Sequence, residues 1–235
     1  YRLICWVSLK DKMKARISEI FEGIQGEGLY LCQRQIFVRF FGCNLSCKFC
    51  DTKLEHFDEY EPQELLSQLY RYPRVYHSVS FTGGEPLLQK DFLKEMLKLT
   101  KNSQIKNYLE TNGTLPEALE EVIDDVDIVA MDLKLPSSTA SGDFWQAHRK
   151  FLNIASRKEV FLKAVICHST EEKDIKEVLS LIKESKAGPL LILQPNSDEC
   201  DADLGEKIES IRKSCQNEKV KVRVIPQMHK VLGVK

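Results

Sequence analysis

The sequence has no surplus of charge of either sign. Its 34 Lys and Arg residues face 35 Asp and Glu, a formal net charge of −1, and the basic residues are dispersed. Such a chain offers no electrostatic footprint for a nucleic-acid backbone or an anionic membrane, which leaves a small molecule as the expected partner. Near its start the chain has only a short apolar run, Leu3 to Val7, far too short to span a bilayer and without the residue order of a secretory signal. Paired cysteines are lacking as well. Cys5, Cys32, Cys167, Cys200 and Cys215 are scattered, so no disulfide framework is expected and the usage reads as cytoplasmic, with thiols kept reduced. No internal linker or low-complexity stretch interrupts the chain, and 43% hydrophobic content over 235 residues suits one α/β domain with a substantial core. The recognisable pattern begins at Met13, so residues 1–12 read as an N-terminal extension and 13–235 as a single domain.

What is present is alternation. Apolar, β-rich runs at Phe37 to Phe41, Ser78 to Phe81, Asn107 to Leu109, Asp127 to Met131, Val160 to Ile166, Leu190 to Leu193 and Val220 to Ile225 are separated by amphipathic segments. The clearest segment carries Ile175, Val178, Leu179 and Ile182 at helical spacing, and Pro62 and Pro116 fall where helices start. Repeated strand–helix units predict a parallel sheet, open or curled into a partial (β/α) TIM-like barrel, with its chemistry at the carboxyl ends of the strands. The polar and glycine-rich stretches obey that rule. Gly83-Gly84-Glu85-Pro86, Glu110-Thr111-Asn112-Gly113, Asp132-Leu133-Lys134 and Gln194-Pro195 all follow predicted strands. Ahead of the first barrel strand, Ile24-Gln25-Gly26-Glu27-Gly28 reads as a flexible loop too polar for the core.

The first of these strands ends at Gly42 and runs into Cys43-Asn44-Leu45-Ser46-Cys47-Lys48-Phe49-Cys50-Asp51-Thr52. Three thiolates on one short loop fit a cubane cluster with one iron left unligated. A structural zinc site closes with four protein ligands, and an electron-transfer cubane normally takes four cysteines. The competing readings are a zinc knuckle completed by His56 and a coincidental cluster of cysteines. Gly83-Gly84 removes two side chains where a ligand backbone could approach, and Glu85 sets a carboxylate beside them. Glu110 and Asn112 could bind ribose or methionine atoms, or Asn112-Gly113 could be a turn alone. Asp132 and Lys134 could form a salt bridge or meet a ligand. Arg39, inside an otherwise apolar strand, needs an anionic partner: either a substrate carboxylate or a protein acid.

The CxxxCxxC loop with Phe49 before its last cysteine, together with Gly83-Gly84-Glu85-Pro86, resembles the radical S-adenosylmethionine superfamily. Adding Gln25-Gly26-Glu27-Gly28, Arg39 and Asp51-Thr52, with the match running from about Ile17 through Pro226-Gln227-Met228-His229, it is similar to the deazapurine-forming branch of that superfamily. Those enzymes convert 6-carboxy-5,6,7,8-tetrahydropterin to 7-carboxy-7-deazaguanine. The resemblance implies a [4Fe-4S] cluster on Cys43, Cys47 and Cys50, with S-adenosyl-L-methionine at Phe49, Cys50, Asp51, Gly84, Glu85, Asp132, Leu133 and Lys134. It implies a pterin substrate against Ile24, Gln25, Gly26, Arg39 and Thr82, and magnesium at Thr52. A flavodoxin- or ferredoxin-like electron donor is the expected partner, and a homodimer the expected assembly. The chain departs from the branch at Lys53-Leu54-Glu55-His56-Phe57 and in a short basic end, Lys230 to Lys235. The alternatives are a glycyl-radical-enzyme activase, which shares the cysteine spacing, and a noncatalytic metal or electron-carrier module.

Overall fold

The computed structural model describes residues 13–52, 54–228 and 230. The proposed extension at residues 1–12 and the basic end beyond Lys230 lie outside the described residues, as does His229. Among the described residues nine strands form one sheet: β1 (Ala15–Ile24), β2 (Arg34–Phe40), β3 (Asp58–Tyr60), β4 (Ser78–Gly83), β5 (Asn107–Thr111), β6 (Ile128–Leu133), β7 (Glu159–Ile166), β8 (Leu190–Pro195) and β9 (Val222–Val224). Their order is β3-β1-β2-β4-β5-β6-β7-β8-β9, antiparallel at β3-β1 and β1-β2 and parallel from β2 to β9. The sheet does not close, so the architecture is a partial (β/α) barrel. Helices α1 (Pro62–Leu69), α2 (Lys90–Asn102), α3 (Pro116–Val122), α4 (Pro136–Thr139), α5 (Trp145–Ala155), α6 (Glu172–Glu184) and α7 (Ala202–Asn217) fill the connections. Among the described residues, no helix is long and apolar enough to cross a membrane.

The seven runs expected to be strands are β2 and β4 to β9. The expected helical face is the buried stripe Ile175, Val178 and Ile182 of α6, and Pro62 and Pro116 open α1 and α3. Two strands escape the sequence pattern. In β1 the register shifts between Ile17 and Glu19, and this bulge breaks the two-residue alternation by which a strand is recognised. The short edge strand β3, Asp58-Glu59-Tyr60, has no apolar alternation at all.

Because side chains alternate across a strand, the sheet has two different faces. The outer face carries Ile36, Val38, Phe40, Val79, Phe81, Leu109, Val129, Met131, Leu162 and Leu191, packed with Leu65, Phe92, Met96, Leu119, Phe151 and Val178 of the helices into the main core. Burying each such side chain contributes about 2 kcal/mol. The inner face is mixed. Tyr108, Ile128, Ala130, Phe161 and Ile192, joined by Leu29 and Tyr30, form a second apolar cluster in the lower part of the barrel. Gly28 makes this stopper possible: it has φ +72°, and a Cβ there would lie 2.8 Å from Phe161. Above the stopper, toward the carboxyl ends, the inner face is polar: Thr82, Glu110, Asp132, Lys163 and Gln194.

Candidate active site

The β1–β2 connection folds into the barrel instead of waving over it. Gln25 and Gly26 are buried, contrary to the flexible loop expected, because Gln25 satisfies its amide inside. Its Nε2 donates to Gln35 Oε1 (3.0 Å) and Glu110 Oε1 (2.7 Å), while its Oε1 accepts from the Glu27 amide (3.0 Å). Glu110 also accepts from Ser80 Oγ (3.3 Å) and Thr82 Oγ1 (3.0 Å). Gln25, Thr82 and Glu110 thus form one hydrogen-bonded group, so Glu110 lies with the expected substrate residues and not with the expected cofactor residues. Ile24, at the end of β1, is 46% exposed. Arg39 faces Glu19 across the β1–β2 pair and donates from Nε to Glu19 Oε2 at 3.4 Å, with its guanidinium 5.8 Å from the Phe21 ring. The protein-acid partner is therefore present.

Sequence reasoning missed Lys163. It stands on β7 beside Asp132, bonds to Glu27, and lies 3.5 Å from Asp132 Oδ2. Burial alone would lower its pKa, but Glu27, Asp132 and Glu110 more than reverse that and hold it well above the ordinary lysine value. A lysine between Leu162 and Ala164 in a strand carries the same signal as Arg39 and was findable by the same argument. Gln194 was seen only as a strand end. Its buried Oε1 has no partner among the described residues, nor has Asp132 Oδ1, and both residues belong to the inner face.

At the mouth, the cysteine loop leaves β2 through Gly42 (φ +95°). Cys43, Cys47 and Cys50 are free thiols, and burial raises the pKa of the first two. The Leu45 amide donates to Cys43 Sγ at 3.4 Å. Lys134 Nζ sits 5.8 Å from the Phe49 ring and donates to Asp132 Oδ2 at 3.0 Å, so the salt bridge expected as one alternative is formed. Leu133 turns its side chain into the outer core, which leaves only its main chain for a ligand. Thr52 is half-buried beside exposed Asp51. Among the described residues, no three His, Cys, Asp or Glu side chains converge on one metal ion.

The glycine pair has a different neighbour from the one expected. A Cβ on Gly83 would lie 2.3 Å from the Phe40 carbonyl oxygen, and one on Gly84 2.0 Å from that of Gly42. The close approach is that of the chain's own backbone, sealed by Gly84 N–H to Phe40 O (3.1 Å) and Glu85 N–H to Gly42 O (2.9 Å). Glu85 differs too. It is fully buried and accepts from Thr111 Oγ1 (2.9 and 3.0 Å), the Asn112 amide (2.8 Å) and the Leu87 amide (3.1 Å). Burial pushes its pKa up to about 7 against those donors. The carboxylate expected to meet a ligand ammonium is instead occupied in joining β4 to β5. Asn112 continues the chain of support: its Nδ2 donates to Asn44 Oδ1 at 2.9 Å, tying β5 to the cysteine loop. His148, fully buried on α5, lies 3.2 Å from the Asn112 carbonyl oxygen through Nε2, and burial lowers its pKa to about 4.

Three thiols on one loop at the mouth of a polar, half-open barrel define a class. The radical SAM superfamily matches residues 37–167, more than half of the chain, which takes in the cysteine loop and the ends of β2 and β4 to β7. A 7-carboxy-7-deazaguanine synthase of Geobacter sulfurreducens is 36% identical over 95% of this chain and 99% of its own length, and one of Archaeoglobus fulgidus is 36% identical over 95% and 100%. The chain belongs to the 7-carboxy-7-deazaguanine synthase family of radical S-adenosylmethionine enzymes. The crystal structure of QueE from Escherichia coli shares the fold, with a TM-score of 0.63 and 20% identity over 90% of this chain and 94% of that one. The superfamily implies a [4Fe-4S] cluster and S-adenosylmethionine. The donor set suits that cluster: three free thiols on one loop, with a backbone amide already aimed at one sulfur.

Proposed function

We propose that this chain converts 6-carboxy-5,6,7,8-tetrahydropterin to 7-carboxy-7-deazaguanine and ammonia in 7-deazapurine biosynthesis of the queuosine type. Besides the family, one observation carries the reading: a carboxylate, Glu110, held inside the barrel by Gln25, Ser80 and Thr82 beneath the cysteine loop. A pterin presents adjacent N–H donors on its pyrimidine edge, and a carboxylate aligned in advance is the acceptor that such an edge requires. Gln25 and Gly26 are buried beside Glu110. Arg39 supplies the cation for the substrate carboxylate, with Glu19 holding its Nε.

The cluster and S-adenosylmethionine, when bound, supply an electron and a hydrogen-abstracting radical. The protein's part is to hold and shield. Cys43, Cys47 and Cys50 carry the cluster, while Phe49, Asp51, the backbone at Gly84, and Lys134 with Asp132 surround the cofactor. The charged pair of Lys163 with Glu27 keeps the inner face polar without adding net charge. Thr52 would offer one hydroxyl to a magnesium ion, with the substrate as the other partner it would hold. The chain works in the cytoplasm as a single domain over residues 13–235, in a homodimer, and takes electrons from a flavodoxin- or ferredoxin-like donor.

The test is an anaerobic assay of reconstituted protein with reductant, S-adenosylmethionine and the pterin. The expected result is ammonia and a product with the mass of 7-carboxy-7-deazaguanine, slowed by omitting magnesium with no change in the cluster spectrum. Cleavage of S-adenosylmethionine with the pterin left unchanged overturns the assignment and favours an activase.

A further inference from the structure

We propose that Gln227 is a positioning residue that couples the substrate loop to the cysteine loop, so that occupancy of one is felt at the other. The inference rests on the substrate reading above. Gln227 lies well over a hundred residues from either loop, yet its side chain meets both. Nε2 donates to Glu27 Oε1 at 2.8 Å and to Asp51 Oδ2 at 3.3 Å, and Oε1 accepts from Ser197 Oγ at 2.7 Å. The neighbouring backbone joins in, with the Met228 amide donating to the Gly26 carbonyl at 2.9 Å. Residues 226–228 therefore cross the barrel mouth and clasp the loop after β1, the loop after β2 and the loop after β8.

The chemistry of an amide explains why glutamine suits this place. Its NH2 group offers two donors in one rigid plane, so two carboxylates can share it without repelling each other through it. Each carboxylate has its own cation besides: Lys163 on Glu27, and Lys230 at 3.2 Å on Asp51. Because the amide is planar and its oxygen is pinned by Ser197, a shift of Glu27 that turns the amide plane must also change the bond to Asp51. Glu27 follows Gln25-Gly26, the proposed pterin contact, and Asp51 follows Cys50, a proposed cluster ligand. A movement of substrate-binding backbone is thereby delivered to the cofactor side of the site through the Gln227 amide.

Hydrogen exchange measured by mass spectrometry tests the coupling without any turnover. Reconstituted wild-type protein receives the pterin alone, without S-adenosylmethionine. Slower exchange is expected both over residues 25–28 and over residues 49–52. In Gln227→Leu the protection over 25–28 is expected to remain and that over 49–52 to disappear. In full reactions the ratio of 5′-deoxyadenosine to deazaguanine product is then expected to rise roughly tenfold, the scale of one lost hydrogen bond to a charged group. Ser197→Ala, which frees the amide but leaves both carboxylates their donor, is expected to shift the same two readouts in the same direction by less, and it keeps the test open should Gln227→Leu fold poorly. Protection at 49–52 that persists in both variants, with an unchanged ratio, overturns the coupling. Absence of any pterin protection at 25–28 in the wild type overturns the substrate reading itself, and the coupling with it.

Discussion

Glu85 receives the Thr111 hydroxyl on both of its carboxylate oxygens, at 2.9 and 3.0 Å, in a position with no solvent exposure. With the Asn112 and Leu87 amides added, the carboxylate closes the gap between the ends of β4 and β5. Asn112 in turn steadies Asn44 in the cysteine loop. The acid that follows the glycine pair therefore reaches the cysteine loop at second hand, through the backbone it aligns.

Glu85→Gln is expected to destabilise the cluster-free protein by about 2 kcal/mol, because the amide turns an N–H toward one of three donors and leaves that donor unsatisfied in the interior. Urea unfolding of wild type and variant measures it. A variant as stable as wild type that has lost the change in cluster spectrum on adding S-adenosylmethionine would restore Glu85 to direct cofactor contact.

The sequence made the parallel sheet legible, since runs such as Val160 to Ile166 and the alternating helical stripe of α6 need only local periodicity. It also revealed which strand ends carry chemistry, for in a parallel sheet all of them point the same way. Position along a strand is enough to predict that Thr82 and Glu110 share a side of the sheet. It is not enough to predict who satisfies Glu110, because Gln25 reaches it across 85 residues of chain. Gly84 was readable as a close approach but not as an approach by Gly42, since the sequence does not say which backbone arrives. Gln227 had no local signal, as its partners come from three distant loops. The bulged strand β1 was hidden by its own irregularity.

Arg39→Lys keeps the charge and loses the planar fork. Glu19 already occupies Nε, so the terminal nitrogens are the ones proposed for the substrate carboxylate, and an ammonium cannot serve both acids with the same geometry. The expected result is a KM for the pterin raised roughly tenfold, with uncoupled cleavage of S-adenosylmethionine unchanged. Steady-state kinetics beside a substrate-free cleavage assay separates the two, and equal loss of both would assign Arg39 to the fold.

His148 gives the cluster-free protein an acid-sensitive component of stability. Its folded pKa, lowered by burial to about 4, lies below the ordinary value of 6.5. Between those values the unfolded chain binds a proton that the folded chain refuses, so this contribution is complete above pH 6.5 and is lost as pH falls toward 4. The full shift corresponds to about 3 kcal/mol. His148→Phe removes the titration at the cost of the bond to the Asn112 carbonyl. Its stability relative to wild type is therefore expected to improve steadily as pH is lowered through that window, as chemical unfolding at a series of pH values will measure. A constant difference would show that the imidazole is protonated in the folded state.

Lys163 pairs with Glu27 and also lies 3.5 Å from Asp132, with side chains of all three no more than 20% exposed. Such a pair is a poor source of net stability but a costly one to break, since removing one partner strands a buried charge. Lys163→Met is accordingly expected to destabilise the cluster-free protein by about 3 kcal/mol or more. Adding Glu27→Gln to that variant removes one stranded carboxylate while keeping an acceptor oxygen for the Gln227 amide, so the double variant is expected to be more stable than Lys163→Met alone. A double-mutant cycle by urea unfolding yields the coupling between the two. Additive losses, with no recovery in the double variant, would mean that Lys163 supports the barrel by packing its alkyl chain and not by pairing with the loop after β1.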